Sequence, residues 1–187
     1  DGVAELVVAY DMRKRLNEND EHESVPRELI IYKKQKGKWI IWKRSRQALA
    51  GSRDGGMMGD PYGEMSISKG ILTISHSGGT GWKWNNTDKY RYLDGDLFLI
   101  GNINSYGRPC EYFMEADFNL STGKLVVSKD FQNCESLETP APQKETETVI
   151  AKGYKITLAK RNDTDIVIRT PKYGYEISIS IKTDEND

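Results

Sequence analysis

Apolar and polar residues alternate along most of this chain with the period of two that β-strands impose on their side chains. The alternation is clearest in 173–182, where aromatic and isoleucine side chains occupy every second position. Turn-forming residues separate about ten to twelve such segments, and none shows a sustained helical period. The pattern therefore predicts an all-β protein whose antiparallel sheets are built from consecutive hairpins, arranged as a sandwich, a curled sheet or a partly open barrel.

Residue pairs ending in glycine separate neighbouring apolar segments and predict three tight hairpins, because such pairs tolerate the positive φ angles of two-residue turns. In the hairpin spanning 29–42, this turn places Tyr32 opposite Ile41 and Ile31 opposite Trp42. In the third hairpin, it places Tyr92 opposite Leu97 and Tyr90 opposite Leu99. The three turns are Lys36-Gly37, Lys69-Gly70 and Asp94-Gly95.

Composition divides the chain into three parts. Residues 1–132 carry most of the strand pattern and form the predicted main antiparallel domain. Residues 133–147 contain two prolines and many charges, which is typical of a linker or long loop. Residues 148–187 return to strand-like alternation and are expected to pack on the main domain. The two cysteines, Cys110 and Cys134, leave a disulfide and a pair of free thiols as open alternatives.

The charge balance narrows the classes of partner. The chain has 187 residues, with 27 Lys and Arg against 28 Asp and Glu, which gives a formal net charge of -1. A nucleic-acid binder normally carries a basic excess, so no nucleic-acid partner is expected. No apolar run approaches the roughly 18 residues of a membrane-spanning helix, so no transmembrane segment is expected within this chain.

One face of the strand around residue 90 is strongly aromatic: Trp82, Trp84, Tyr90 and Tyr92 all fall on its even-numbered side. Aromatic faces bind sugars by stacking, and they also serve as ordinary core packing. His76 lies just upstream, before the glycine-rich turn 78–81. It is a candidate ligand-binding residue or base, although no nucleophile or acid partner is evident from spacing. Packing of His76 at a strand end is the alternative.

The amino-terminal residues suggest a metal ligand set. Asp1-Gly2 followed by Glu5 matches the end of a calcium loop, in which alternate carboxylates and a backbone carbonyl bind the ion. Asp1 and Glu5 are therefore candidate calcium ligands in an incomplete loop, and no other cofactor is indicated. The only histidines are His22 and His76, so the cysteines lack the partners of a zinc site.

Several phrases of the chain resemble an uncharacterised family of small secreted or lipid-anchored bacterial proteins. That family combines phrases of the type GDP(F/Y), HxGGSxWxW, FRYxxG and NxxTGK with an amino-terminal phrase similar to FG-GAP calcium loops. The resemblance covers residues 1–130 and implies a secreted or cell-envelope location, with a lipid anchor upstream of residue 1. It implies no activity. The matching segments here are Gly59–Tyr62, Met65–Trp84, Tyr90–Gly101 and Asn119–Lys124.

Three functions are therefore considered. The first is a non-enzymatic envelope protein that binds a protein or another ligand, because no catalytic set of residues is evident. The second is a carbohydrate-binding module that uses exposed tryptophans. The third is a hydrolase with paired carboxylates, for which 28 acidic residues supply many pairs but none of distinctive placement.

Overall fold

The computed structural model describes residues 3–12, 23–132, 134, 143–163 and 166–181. Within these ranges the chain forms twelve strands and two short 3₁₀ turns, at Gly56–Met58 and Leu158–Lys160. The strands are β1 (Glu5–Asp11), β2 (Arg27–Gln35), β3 (Lys38–Ser45), β4 (Tyr62–Ser68), β5 (Ile71–Gly79), β6 (Lys83–Leu93), β7 (Asp96–Arg108), β8 (Tyr112–Asn119), β9 (Lys124–Phe131), β10 (Lys144–Ile150), β11 (Val167–Arg169) and β12 (Glu176–Ser178).

The strands form three antiparallel sheets. The first has the order β1-β2-β3, and the last is the hairpin β11-β12. The residues between these two sheets in sequence form a seven-stranded sheet. Its neighbours in sequence are neighbours in space, in the order β10-β9-β8-β7-β6-β5-β4. The predicted all-β fold of consecutive hairpins is confirmed, and the large sheet is not closed into a barrel.

Two-residue turns set the registers of the hairpins as expected. At the β6–β7 turn, Asp94 has φ 49° and Gly95 has φ 91°, the pair of positive values that a type I′ turn requires. The turns at 36–37 and 69–70 repeat this geometry. The register confirms Tyr92 opposite Leu97 and Tyr90 opposite Leu99.

A β-bulge corrects one predicted pairing. Tyr32 lies opposite Ile41 as expected, but Ile31 pairs with Lys43 rather than with Trp42. The extra residue in β3 takes Trp42 out of the pairing ladder, as bulges do. Trp42 then packs against the core, with its ring centroid 4.7 Å from that of Tyr92.

The carboxy-terminal residues share the core of the large sheet. β10 begins at Lys144, inside the segment expected to be a linker, and pairs with β9 along its whole length. Residues 133 and 135–142 of that segment lie outside the described residues. Further along, apolar side chains join the same buried cluster as the large sheet: Ile156, Leu158, Ile166, Ile168, Ile177 and Ile179.

The core lies between one face of the large sheet and the elements that cover it. Leu29 and Ile31 of β2 and Leu49 of the loop after β3 pack on this face together with the carboxy-terminal side chains. Burying each such side chain contributes about 1.5–3 kcal/mol. The sheet's own contributions include Leu72, Ile74, Tyr90, Leu99, Phe118, Leu125 and Val127.

A buried ion pair joins the large sheet to the carboxy-terminal segment. The Arg161 side chain is 1% exposed and that of Asp88, on β6, is 0% exposed. The Arg161 Nε and Nη2 atoms donate to the two Asp88 carboxylate oxygens at 2.6 and 3.0 Å. Asn102 Nδ2 and the Tyr90 hydroxyl donate to the same carboxylate at 2.7 and 3.0 Å. Four donors therefore compensate the loss of water around this carboxylate.

The ion pair between Arg161 and Asp88 predicts how the loss of one charge changes the free energy of unfolding. Replacing Arg161→Met should lower the free energy of unfolding by about 3–5 kcal/mol, because it leaves Asp88 buried without its counter-ion. Adding Asp88→Asn should recover most of this loss, since the amide removes the unpaired charge and still accepts one hydrogen bond. Urea denaturation of the two single variants and the double variant measures the coupling. Losses that simply add in the double variant would contradict a stabilising pair.

Candidate functional site

His76 lies inside the core, opposite Asn86 on the neighbouring strand. Its side chain is 1% exposed, and the backbone N–H of Ala50 donates to its Nε2 at 3.3 Å. Because Nε2 accepts, the neutral imidazole carries its proton on Nδ1. Among the described residues, neither His76 Nδ1 nor Asn86 Oδ1 has a hydrogen-bond partner. His76, the residue that the sequence suggested as a ligand-binding residue or base, is thus a buried donor. The buried acceptor Asn86 Oδ1 belongs to the residue opposite it on the neighbouring strand.

The surroundings of His76 favour the neutral imidazole. Burial lowers the pKa of His76 below its ordinary value of about 6.5, and the nearby Asp88 carboxylate only partly opposes this effect. The guanidinium groups of Arg161 and Arg27 lower the pKa further. Protonating His76 in the folded protein is therefore unfavourable near neutral pH.

The phrase Gly59–Tyr62 has a structural role next to His76. Asp60 holds Arg27 through two hydrogen bonds, at 2.7 and 2.5 Å, and Arg27 also donates to Asp11 at 3.1 Å. The Arg27 guanidinium carbon lies over the Tyr62 ring, 5.6 Å from the ring centroid. The Tyr62 ring also contacts the His76 ring edge to face. A shallow cleft of about 280 Å³ lies beside this cluster.

Asp11 and Asp60 are thus two carboxylates brought close by the fold, as the hydrolase hypothesis requires. The hydrogen bond from Arg27 lowers the pKa of Asp60, against the effect of burial. A general acid for glycoside hydrolysis needs a raised pKa instead. Asp11 and Asp60 are therefore ion-pair partners of Arg27, and the Arg27–Asp60 pair connects β2 to the loop before β4.

The four aromatic residues of the β6 face lie in different surroundings. Tyr90 is fully buried, and burial together with the Asp88 carboxylate raises the pKa of its hydroxyl well above 10. Tyr92 is 44% exposed at the end of the strand, where it contacts Trp42. Trp82 and Trp84 are half-buried at the opposite end of β6.

A glycine-specific turn places Trp82. Gly79 has φ 117°, and a Cβ atom there would lie 1.9 Å from the carbonyl oxygen of Trp82. That carbonyl accepts a hydrogen bond from the Thr80 N–H at 2.9 Å. The glycine-rich segment therefore serves close backbone packing that a side chain would prevent. It connects β5 to β6 directly, without the helix that a phosphate-binding loop of the usual kind requires.

Four aromatic rings meet at this end of the large sheet, and we call Trp82, Tyr106, Tyr112 and Phe131 the aromatic platform. Trp82 stacks on Tyr106 with centroids 5.0 Å apart and ring planes within 4°. The Tyr112 centroid lies 5.1 Å from that of Trp82 and 6.4 Å from that of Phe131. All four rings are half-buried, so part of each is accessible.

The platform continues the core face of the sheet beyond the elements that cover it. Strand register aligns Trp84, Tyr106, Met114 and Lys129 in one row across β6 to β9. The next row towards the core is Asn86, Asn104, Ala116 and Val127. Side chains at alternate positions share a face, so the platform and the core occupy the same side of the sheet. None of its four rings belongs to the buried core cluster.

Lys129 lies among the rings of the platform. Its ammonium is 3.9 Å from the Tyr112 centroid, 4.7 Å from that of Phe131 and 5.0 Å from that of Tyr175. Cation–π contacts of this kind hold a positive charge against aromatic faces. Tyr175 in turn hydrogen-bonds Glu145, and burial together with this carboxylate raises the pKa of its hydroxyl well above 10.

A disulfide fastens the loops beside the platform. Cys110, in the turn between β7 and β8, is bonded to Cys134, which follows β9. Of the two alternatives that the sequence leaves open, the structure contains the disulfide. The cross-link connects the turn before Tyr112 to the chain just beyond Phe131, and so restricts the relative movement of these two rings.

The predicted calcium ligands are only partly described. Asp1 lies outside the described residues, and Glu5 is on β1, with its carboxylate 3.6 Å from the Lys33 ammonium. In the described part of the chain, no group of three or more His, Cys, Asp or Glu residues could hold a metal ion.

Sequence reasoning missed most of this site. It identified Trp82 and Trp84 but not Tyr106, Tyr112, Phe131 or Lys129, which come from three further strands. It also missed Asp88, for which a signal existed: Asn86 and Asp88 are polar residues at even positions of an otherwise aromatic strand face. Such an interruption indicates a buried polar group that needs a partner.

Comparison of the chain with protein-family models, curated proteins and solved structures finds no match. Across the described residues, no helix is long and apolar enough to cross a membrane.

The buried His76 predicts how the stability of the fold depends on pH. Its folded-state pKa is lowered, so the unfolded chain binds more protons and stability should fall as the pH drops through about 6.5. The slope can reach about 1.4 kcal/mol per pH unit for one such group. Urea denaturation between about pH 7.5 and about pH 5.5 should show this loss. The variant His76→Gln should show a smaller slope.

The other histidine supplies the control. His22→Gln removes the same chemical group elsewhere in the chain and should keep the pH dependence of the wild type. If His76→Gln retained the full wild-type slope while His22→Gln lost it, the assignment to His76 would be wrong.

Proposed function

We propose that the chain is a carbohydrate-binding protein and that the aromatic platform is its binding surface. The observation that carries this proposal is the contiguous set of half-buried rings around Trp82, with neighbouring centroids 5.0–6.4 Å apart. Aromatic rings that belong to the buried core are explained by packing alone and need no ligand. Here the rings extend past the core cluster and remain partly accessible to solvent.

The chemistry of the rings suits a sugar. A pyranose has a face of C–H groups that packs on an aromatic ring through dispersion and the ring quadrupole. Its hydroxyl groups lie around the edge, where they need polar partners or water. Tyr106 and Tyr112 bring phenol groups to the same surface, and the sequence resemblance leads us to place the protein in the secreted or envelope compartment.

The support of the rings favours binding with little loss of conformational entropy. Tyr106, Tyr112 and Phe131 lie on paired strands, and the disulfide from Cys110 to Cys134 restrains the adjoining segments. Trp82 is held by the backbone packing at Gly79. A surface that is ordered before binding loses less entropy when the ligand arrives.

Protein binding is the second candidate function, and the outer face of the three-stranded sheet β1-β2-β3 favours it. Leu6, Tyr32 and Ile41 are cross-strand neighbours in the row β1-β2-β3. Leu6 is 45% exposed and Ile41 is 52% exposed. Adjacent exposed apolar residues of this kind are typical of interaction surfaces.

The proposed function is tested by removing the central ring. Trp82→Ala should weaken the binding of any glycan identified on a microarray by about tenfold, since aromatic stacking contributes on the order of 1–3 kcal/mol per ring. Titration calorimetry measures the change. Trp39→Ala is the matched control, because this tryptophan is 46% exposed on β3, outside the platform.

Two results would contradict the proposal. One is the absence of binding to any glycan on a broad array by the folded wild-type protein. The other is an equal loss of affinity in Trp82→Ala and Trp39→Ala. A thermal melt of each variant checks that the loss of binding is not a loss of folding.

A further inference from the structure

We propose that the carbohydrate is acidic, and that the Arg108 guanidinium and the Lys129 ammonium bind the carboxylate of a uronic-acid residue. This inference rests on the proposed function and names the class of sugar that the platform would take. It follows from the position of the two cations relative to the rings.

Arg108 borders the platform on one side. It is the last residue of β7 and lies directly opposite Tyr112 on β8, so both side chains share the core face. Its Nε atom would be 3.9 Å from a Cβ atom at Gly81, the residue before Trp82. The exposed Arg108 side chain therefore lies beside the turn that carries Trp82.

Lys129 supplies the second cation on the other side of Tyr112. Its ammonium lies over the Tyr112 and Phe131 rings, as described above. A lysine held by aromatic rings keeps its charge near the surface, because the rings do not neutralise it as a carboxylate would. Tyr112 therefore lies between two positively charged groups.

The acidic residues near these cations are Glu145 and Glu111. Glu145 is opposite Lys129 in the register of β9 and β10, and its carboxylate accepts the Tyr175 hydroxyl. Glu111 is exposed in the turn beside Arg108, where its backbone N–H donates to the Arg108 carbonyl at 3.2 Å and its own carbonyl accepts from the Gln132 N–H at 2.9 Å. Asp130 points to the opposite face, where its carboxylate is 3.5 Å from the Lys144 ammonium.

The two cations have different chemistry, and together they favour a carboxylate. The planar guanidinium of arginine can donate two parallel hydrogen bonds to a carboxylate, whereas an ammonium acts as a compact charge. A uronic acid places its carboxylate at the edge of the sugar ring. With the ring stacked on Trp82, that edge can reach the Arg108 and Lys129 side chains that border the platform.

The experiment compares an acidic glycan with its neutral counterpart. Oligogalacturonate and its methyl ester share the sugar ring and differ in whether the C6 carboxyl group of each residue is ionised or esterified. The acid should bind at least about tenfold more tightly than the ester in about 20 mM salt, and most of this preference should disappear in about 500 mM salt. Titration calorimetry provides the affinities.

Variants assign the preference to residues. Arg108→Gln and Lys129→Gln should each lower the ratio of the affinity for the acid to the affinity for the ester. Lys83→Gln is the matched control, because Lys83 is exposed at an odd position of β6 and so lies on the opposite face. It should retain the wild-type preference.

The outcomes separate this inference from the proposed function. Equal binding of acid and ester, lost in Trp82→Ala, would overturn the acidic-sugar inference and support the platform. A preference that survives in both Arg108→Gln and Lys129→Gln would also overturn it. Binding of sulfated glycans without binding of oligogalacturonate would show that the carboxylate is the wrong anion. Failure of every glycan to bind would overturn both proposals.

Discussion

The buried ion pair between Asp88 and Arg161 constrains the arrangement of the whole core. Two charges can be removed from water at this depth only when each meets the other and the remaining hydrogen bonds are made. Here the partners are 73 residues apart in sequence, one in the middle of the large sheet and one after the 3₁₀ turn Leu158–Lys160. Meeting this requirement holds the carboxy-terminal segment against the sheet, together with the isoleucines that cover its apolar rows.

The candidate binding surface depends on the same arrangement. The covering segments pack on the rows that contain Asp88 and Asn86, while the rows beyond them carry Tyr106 and Tyr112. One face of a single sheet is therefore core at one end and partly accessible at the other. β12 runs near this boundary, since Asn104 Nδ2 donates to the Ser178 carbonyl at 2.9 Å. The position of this boundary decides which aromatic rings can meet a ligand.

Local sequence signals predicted the hairpins well, because a two-residue turn and the alternation beside it act over a few residues. The turn at Asp94-Gly95 illustrates this, with both the φ angles and the register as expected. The same reasoning treated Trp82, Trp84, Tyr90 and Tyr92 as one face, without the covering layer that separates them. It also did not anticipate the bulge in β3 that places Trp42 against the core.

The sequence by itself determined the all-β class, the order of the strands and most of the turns, since these depend on neighbouring residues and on a period of two. Only the tertiary structure decided which residues form the platform, because Trp82, Tyr112 and Phe131 meet through the registers of several strands. It likewise decided that Cys110 bonds to Cys134 and that Asp88 meets Arg161. Such contacts join distant parts of the chain, and their energies depend on burial that no local pattern specifies.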